Sequence, residues 1–419
     1  MTTPNGNHQL RRLGVLIAIA FVDMVGFMLV LPLLPFYALQ LHATPFQIGL
    51  IYSAFSIAQI LSAPVWGRVS DRYGRRPALL IGLLAAAAAY IVFGFADSLW
   101  LLFASRFVQG AGGGTTGVAQ AYVADTVEPS QRARALGWLS SATAAAMVIG
   151  PVIGTLGGLL GKHAPGLIAA GLCVANAAFA FYWLPESRRK EDSGGHAAVG
   201  RPLWEPAWQA LRHPTRPVSR LLWIYGVGML AFSSLTAVLP LFLNAEFHVT
   251  ERTFGYFLTY FGVLSIIMRV ILLGPIVERL GELGTMRLGC LSLIVGCAAY
   301  PLVGDIWVLA AVVMPLVPIG TALLFPSTTS LLSARSAKRE LGTVMGVAQT
   351  FAGLARIVAP LMATAAFQHL GHPAPFFIAG GIVALVGLLA FRVEVQAPIP
   401  DTVPANPLPA PAQAPETTG

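Results

Sequence analysis

GRVSDRYGRRP, Gly67 to Pro77, lies between two apolar runs, and a degenerate copy, GPIVERLG, lies at Gly274 to Gly281. Gly67, Asp71, Arg72 and Gly74 align with Gly274, Glu278, Arg279 and Gly281 at a single offset of 207 residues. Farther out the register persists: Pro32 aligns with Pro240 at 208, Gly49 with Gly255 at 206, and Pro151 with Pro360 at 209. The chain is therefore read as two repeats in parallel orientation, a plan in which a ligand site sits near the bilayer midplane between the halves.

The runs flanking each loop are long enough to cross a bilayer, which takes about 20 mostly apolar residues. Twelve segments meet that test: 13–38, 47–66, 77–97, 99–123, 135–160, 165–184, 219–245, 252–276, 286–303, 306–333, 341–368 and 373–393. Backbone polar groups have no partner in hydrocarbon, so each run must close its hydrogen bonds internally as a helix. Composition agrees. Of the 419 residues 56% are hydrophobic and 11% charged, with mean hydropathy +0.72. A water-facing domain carries about 25% charged residues. The expected class is an all-α membrane protein with two pseudo-symmetric six-helix bundles at 13–184 and 219–393. A short segment, 1–12, precedes them, and a Pro-containing linker, 185–218, joins them. The linker's RPLWEPAWQALRHPTRP is a candidate interfacial helix, and 394–419 reads as a disordered Pro-rich tail. The first run is too long for a signal-peptide core and lacks a cleavage site behind it, so it is expected to stay as the first span.

Net charge is +8, which elsewhere suggests nucleic acid. Here the basic residues alternate between gaps: 21 fall on one side of the twelve segments and two, Lys162 and Arg252, on the other. That asymmetry orients membrane helices, predicts both termini in the cytoplasm and leaves nucleic acid without a role. Cys173, Cys290 and Cys297 lie inside apolar runs, against a disulfide framework. His42, His248, His369 and His372 lack ligand spacing, so neither metal nor cofactor is expected. Gly112-x-Gly114-x-x-Gly117 matches a dinucleotide fingerprint only in form, being inside an apolar run rather than after a strand. No nucleophile–base pair gathers in one place, so an enzyme is not expected.

Asp23 is the most informative single residue. It lies about 15 Å into the first segment at 1.5 Å per residue, roughly half of a 30 Å hydrocarbon core. An ionised carboxylate there costs on the order of 3 kcal/mol even on insertion scales. Burial penalises the charged form, so a proton taken up from one side and released to the other is the functional reading. A structural hydrogen bond to a neighbouring helix is the plainer one. Arg106, Arg269 and Arg356 are further charges at depth, each either functional or turned to a carbonyl.

These motifs resemble the major facilitator superfamily. Gly67 to Pro77 is similar to its loop signature, Arg106, Gln109 and Gly110 to its R-x-x-Q-G motif, and Leu184-Pro185-Glu186-Ser187 to its usual end of helix 6. Gly150, Pro151 and Gly154 resemble the antiporter motif, with Thr155 where a second glycine is usual. Asp23 with Gly26, Pro32 and Pro35 resembles helix 1 of twelve-helix drug:proton antiporters, and Ala124 to Gly137 is similar to tetracycline exporters. The second loop has Glu282 and Leu283 in place of the basic pair.

The resemblance implies a proton-coupled exporter of small amphiphilic organic molecules in a bacterial inner membrane, working as a monomer by alternating access. A nutrient uniporter or symporter is one alternative, and a non-transporting receptor of the same fold another. It implies that Asp23 and Arg106 handle the proton and could approach each other. Gly67, Asp71, Arg72, Gly74, Arg75, Arg76 and Asp125 would gate the cytoplasmic side, with Asp71 facing the helix start near Leu341. Topology alone would also explain the loop arginines. Gly150, Pro151 and Gly154 would seal helix 5 against a neighbour, or merely pack it. Cavity candidates are Phe27, Gln109, Gln120, Trp223, Ser233, Ser327, Gln349 and Arg356, with Tyr37, Ser234, Thr236 and Thr328 as further wall positions.

Overall fold

A computed structural model describes residues 4–128, 131–187, 212–213, 216–336 and 341–391. The first half comprises α1 (Pro4–Val30), α2 (Leu34–Gln40), α3 (Pro45–Tyr73), α4 (Arg75–Gly94), α5 (Leu99–Gly112), α6 (Thr115–Thr126), α7 (Arg132–Leu159) and α8 (Ala164–Trp183). The second comprises α9 (Pro217–Phe247), α10 (Glu251–Ile267), α11 (Leu273–Ala299), α12 (Ile306–Val308), α13 (Leu316–Ala334), α14 (Leu341–Leu370) and α15 (Ala374–Phe391). Among the described residues nine helical stretches are long and apolar enough to span a membrane. One of these, Thr253–Leu302, turns a corner at Gly281, α5 and α6 together make another crossing, and α15 is a shorter apolar helix. This is consistent with the expected twelve. The linker helix and the tail fall outside the described residues, apart from isolated linker positions.

Four expected helices are interrupted: the tenth passes through a π-helical turn, Leu309–Val313, and a turn at Met314–Pro315 before α13, and the other three break for local reasons. The first breaks at 31–33, where Pro32 has no N–H to continue the ladder. The fourth breaks at Gly113–Gly114, because a Cβ at Gly114 would run into the Trp66 ring, whose indole N–H donates to the Ala111 carbonyl at 2.6 Å. The eighth passes through a π-helical turn, Met268–Leu272, before continuing into α11.

The repeat is visible in the corners. Gly74 (φ 104°, ψ 160°) joins α3 to α4, and Gly281 (φ 69°, ψ 171°), 207 residues on, makes the matching bend. A positive φ of this kind favours glycine at both. Arg75 follows the first corner and pairs with Asp125 on α6, while Glu282 follows the second and accepts from the Ser330 hydroxyl on α13. The degenerate second loop thus keeps the geometry and changes the chemistry.

The halves meet along two helix pairs, α3 with α14 and α7 with α10. The side-chain contacts lie toward the end carrying the 41–44, 160–163 and 248–250 connections, here called the outer end. Gln40 donates to Glu251 at 2.9 Å, the Phe46 N–H to Gln368 at 3.1 Å, and the Ser53 hydroxyl to the Ile357 carbonyl at 2.7 Å. Phe36 and Phe254 pack with tilted rings, centroids 5.3 Å apart.

Candidate functional site: an intramembrane carboxylate and a loop cluster

Asp23 is half-buried on α1, and its Oδ2 accepts from the Thr115 hydroxyl at 2.9 Å. Gly112 ends α5 and Thr115 starts α6, so the break in the fourth span delivers Thr115 to the carboxylate. A Cβ at Gly82 of α4 would lie 2.8 Å from the Thr115 methyl, so close packing there also depends on glycine. Asp23 faces a cavity of about 80 Å³, whose walls include Phe27, Phe55, Gln59, Tyr90 and Gln109. A second cavity of about 400 Å³ shares Gln59, Gly113 and Thr116 with the first and extends to Gly67, Asp71 and Arg75. Shared walls thus place the carboxylate's cavity next to the one that reaches the loop motif.

Arg106 does not pair with Asp23. Among the described residues no ion pair joins them. Arg106 is 1% exposed and donates to the Gln109 carbonyl oxygen, while the Gln109 amide donates to the Tyr90 hydroxyl. Its guanidinium carbon lies 5.4 Å from the Phe27 centroid and 5.2 Å from that of Phe55. Its Nε and Nη2 are buried without a hydrogen-bond partner. Two aromatic faces favour the cation but do not replace hydrogen bonds. Phe27 and Phe55, 4.9 Å apart, thus cover a charged group on one side and wall the cavity on the other. The connection from Arg106 toward Asp23 runs through Gln109 and Tyr90. Tyr90, Phe55 and Thr115 carry no sequence signal, being ordinary residues of their helices.

The loop residues come together. Arg75 pairs with Asp71 at 2.8 Å and with Asp125 at 2.9 Å, and donates to the Ser70 hydroxyl at 2.7 Å. Sequence reasoning assigned no role to Glu186, whose two carboxylate oxygens accept from the Arg75 and Arg76 N–H groups at 2.8 and 3.1 Å. It caps α4, where unpaired N–H groups favour an anion. A Cβ at Gly74 would come within 2.7 Å of that carboxylate carbon, so this glycine clears space for Glu186 as well as turning the chain. Arg76 turns instead to the Phe181 carbonyl, and Arg72 stacks on Tyr73. The side chain of Leu341 and residues 337–340 fall outside the described residues, and with them the expected meeting of Asp71 with that helix start.

In the antiporter motif, a Cβ at Gly150 would sit 2.6 Å from the Met28 Cβ, and one at Gly154 would enter the Leu29 carbonyl; α7 packs directly on α1. Pro151 lies inside α7, and its carbonyl accepts from Thr155 at 2.9 Å. Thr155 itself fills the space over Gly255 of α10, where any Cβ would overlap it. On the other seam Thr364 fills the space over Gly49 and donates to the Pro360 carbonyl at 2.7 Å. Thr364 lies 209 residues after Thr155, and Gly255 lies 206 after Gly49, so the two seams repeat one knob and one hole.

The remaining cavity candidates do not gather around Asp23. Phe27 and Gln109 do. Gln120 is exposed, and Tyr37 is bonded to the Lys162 carbonyl at the outer end. The others form a separate group in the second half. There Trp223 meets Phe351 edge to face at 5.6 Å, Tyr225 packs on Phe325 and bonds Gln349, and the exposed Arg356 donates to the Ala352 carbonyl at 3.3 Å. Ser233 is half-buried nearby on α9, and the Ser327 and Ser234 hydroxyls are buried without a partner. Arg269 is exposed on the π-helical turn.

The family model of the Major Facilitator Superfamily matches residues 16–360 and 306–417. The chain belongs to the major facilitator superfamily. It is therefore a multi-pass membrane transporter of small molecules rather than an enzyme. Over 360 residues it is 27% identical to the class B tetracycline resistance protein of Escherichia coli, covering 85% of this chain and 88% of that one. It is likewise 27% identical over 388 residues to multidrug resistance protein 2 of Bacillus subtilis, covering 91% and 94%. The crystal structure of the human organic anion transporter MFSD10 shares the fold, with TM-score 0.68 and 23% identity over 91% of this chain and 99% of that one.

Proposed function

We propose that this major facilitator exports small amphiphilic organic molecules in exchange for protons, by alternating access across a bacterial inner membrane. In this reading both termini are cytoplasmic, the protein acts as a monomer, and the two bundles rock about the central site. The observation that carries the proposal is the Asp23 carboxylate, half-buried on the apolar helix α1, hydrogen-bonded by Thr115 and facing free volume. A carboxylate in that position is costly when charged, so protonation and the direction the site faces are coupled. A proton arriving on an Asp23 oxygen removes the charge; its departure on the other side restores it. Similarity to tetracycline and multidrug resistance proteins supports an organic substrate leaving the cell.

The reading is tested with purified protein in liposomes under a pH gradient, using tetracycline and a cationic dye as probes. Asp23→Asn should abolish uphill accumulation while leaving counterflow down the probe's own gradient. Full coupling in the variant would overturn the assignment. Flux in the direction of the proton gradient would instead indicate a symporter.

A further inference from the structure

A third concave site shares no wall residue with the two cavities beside Asp23 and the loop motif. It has a volume of about 340 Å³ and is walled by Arg11 and Arg12 of α1, Arg76 at the start of α4, and Tyr182 and Trp183 at the end of α8. From this geometry we infer a binding site for the anionic phosphodiester headgroup of a membrane lipid.

Three guanidinium groups converge on the site, and among the described residues no acidic side chain lines it. Glu186, next in the chain after the wall residue Pro185, accepts from the Arg75 and Arg76 N–H groups. Arg76 is held in place by the Phe181 carbonyl and by stacking 5.0 Å from the Phe181 centroid, yet its Nε is buried without a partner. Arg11 and Arg12 are exposed. Planar guanidinium groups bind phosphate oxygens in pairs, which a zwitterionic or uncharged headgroup exploits less well.

The source of the phosphate is argued from position. Phe181, Tyr182 and Trp183 are 56%, 75% and 52% exposed at the end of a spanning helix, where amphipathic rings sit among headgroups. A basic pocket walled by the ends of apolar helices, with aromatic rings beside it, has the make-up of an anionic-lipid site. A lipid held there would touch Arg76, whose neighbour Arg75 carries the Asp71 and Asp125 pairs. The lipid site is thus joined through the backbone to the loop cluster.

The full chain in detergent is titrated with phosphatidylglycerol, phosphatidylcholine and sn-glycerol 3-phosphate, and bound copies are counted by native mass spectrometry. Phosphatidylglycerol should occupy one site at least about ten-fold more tightly than phosphatidylcholine. Arg12→Gln and Arg76→Gln should each weaken that site about five-fold. Arg134→Gln, a basic residue stacked on Trp138 outside the pocket, should leave it unchanged. Arg12 is exposed, so its variant tests the site even if Arg76→Gln folds poorly. Equal affinity for the two lipids, or wild-type affinity in Arg12→Gln, would overturn the proposal. Binding of sn-glycerol 3-phosphate as tightly as phosphatidylglycerol would do so too, since it would identify a free phosphate as the ligand.

Discussion

Alanine at Gly49 would put a methyl group where the Thr364 side chain already sits. The added Cβ would overlap the Thr364 hydroxyl, lie 3.2 Å from its Cβ and approach the Pro360 carbonyl oxygen to 2.9 Å. Turning Thr364 aside relieves only part of this, because the Pro360 oxygen belongs to backbone, and it also breaks the 2.7 Å bond between the two. Overpacking of this kind costs about 1–3 kcal/mol. The strain exists only while the outer ends of α3 and α14 are in contact. It therefore biases the protein toward the state in which they part, by about 5- to 150-fold in the equilibrium constant. The assay is electron–electron distance measurement between spin labels at Asp97→Cys and Trp307→Cys, one in each half at the outer end. Native Cys173, Cys290 and Cys297 are buried, so the labels report the introduced sites. Gly49→Ala should move population to longer distances, and Thr364→Ala in the same chain should reverse part of the shift. Identical distance distributions in parent and Gly49→Ala would refute the idea that these seams hold the outer side closed.

Glu186→Ala removes the acceptor of two N–H groups at the start of α4 and should lower stability by about 1–2 kcal/mol, read as a fall in the thermal midpoint in detergent. An unchanged midpoint would show that water caps the helix equally well. Arg75→Gln separates Asp71 from Asp125 and should slow counterflow at least ten-fold while equilibrium binding of the transported probe stays within two-fold, which follows from a gating role. Equal losses in both would mean a folding role instead.

The interrupted helices show how far sequence reading reaches. Among the described residues most of each predicted segment is helical, consistent with twelve spans, because the need to satisfy backbone groups in lipid is strong and local. The breaks were less legible. Pro32 announces one, but the break at Gly113–Gly114 depends on Trp66, far away in sequence, taking the Ala111 carbonyl. Asp23 was visible as a charge out of place; its partner Thr115 was not, since a threonine in an apolar helix is unremarkable until the fold brings it to 2.9 Å. Glu186 was seen only as part of a helix ending, and Thr155 only as a departure from a motif. Which helix each one touches depends on packing between segments that are not neighbours in the chain.

The residues alone therefore settled what their own surroundings dictate: spans from hydropathy, two halves from the repeat, and glycines at both corners because little else turns there. Only the assembled bundle decided that Arg106 faces aromatic rings rather than Asp23, and that the described walls of the Asp23 cavity come from the first half. It also matched the two threonines with the two glycines of the opposite half. The reason is range. Solvation acts on each segment by itself, whereas packing selects among many helix faces of nearly equal hydrophobicity, and that choice is made by shape only when the helices meet.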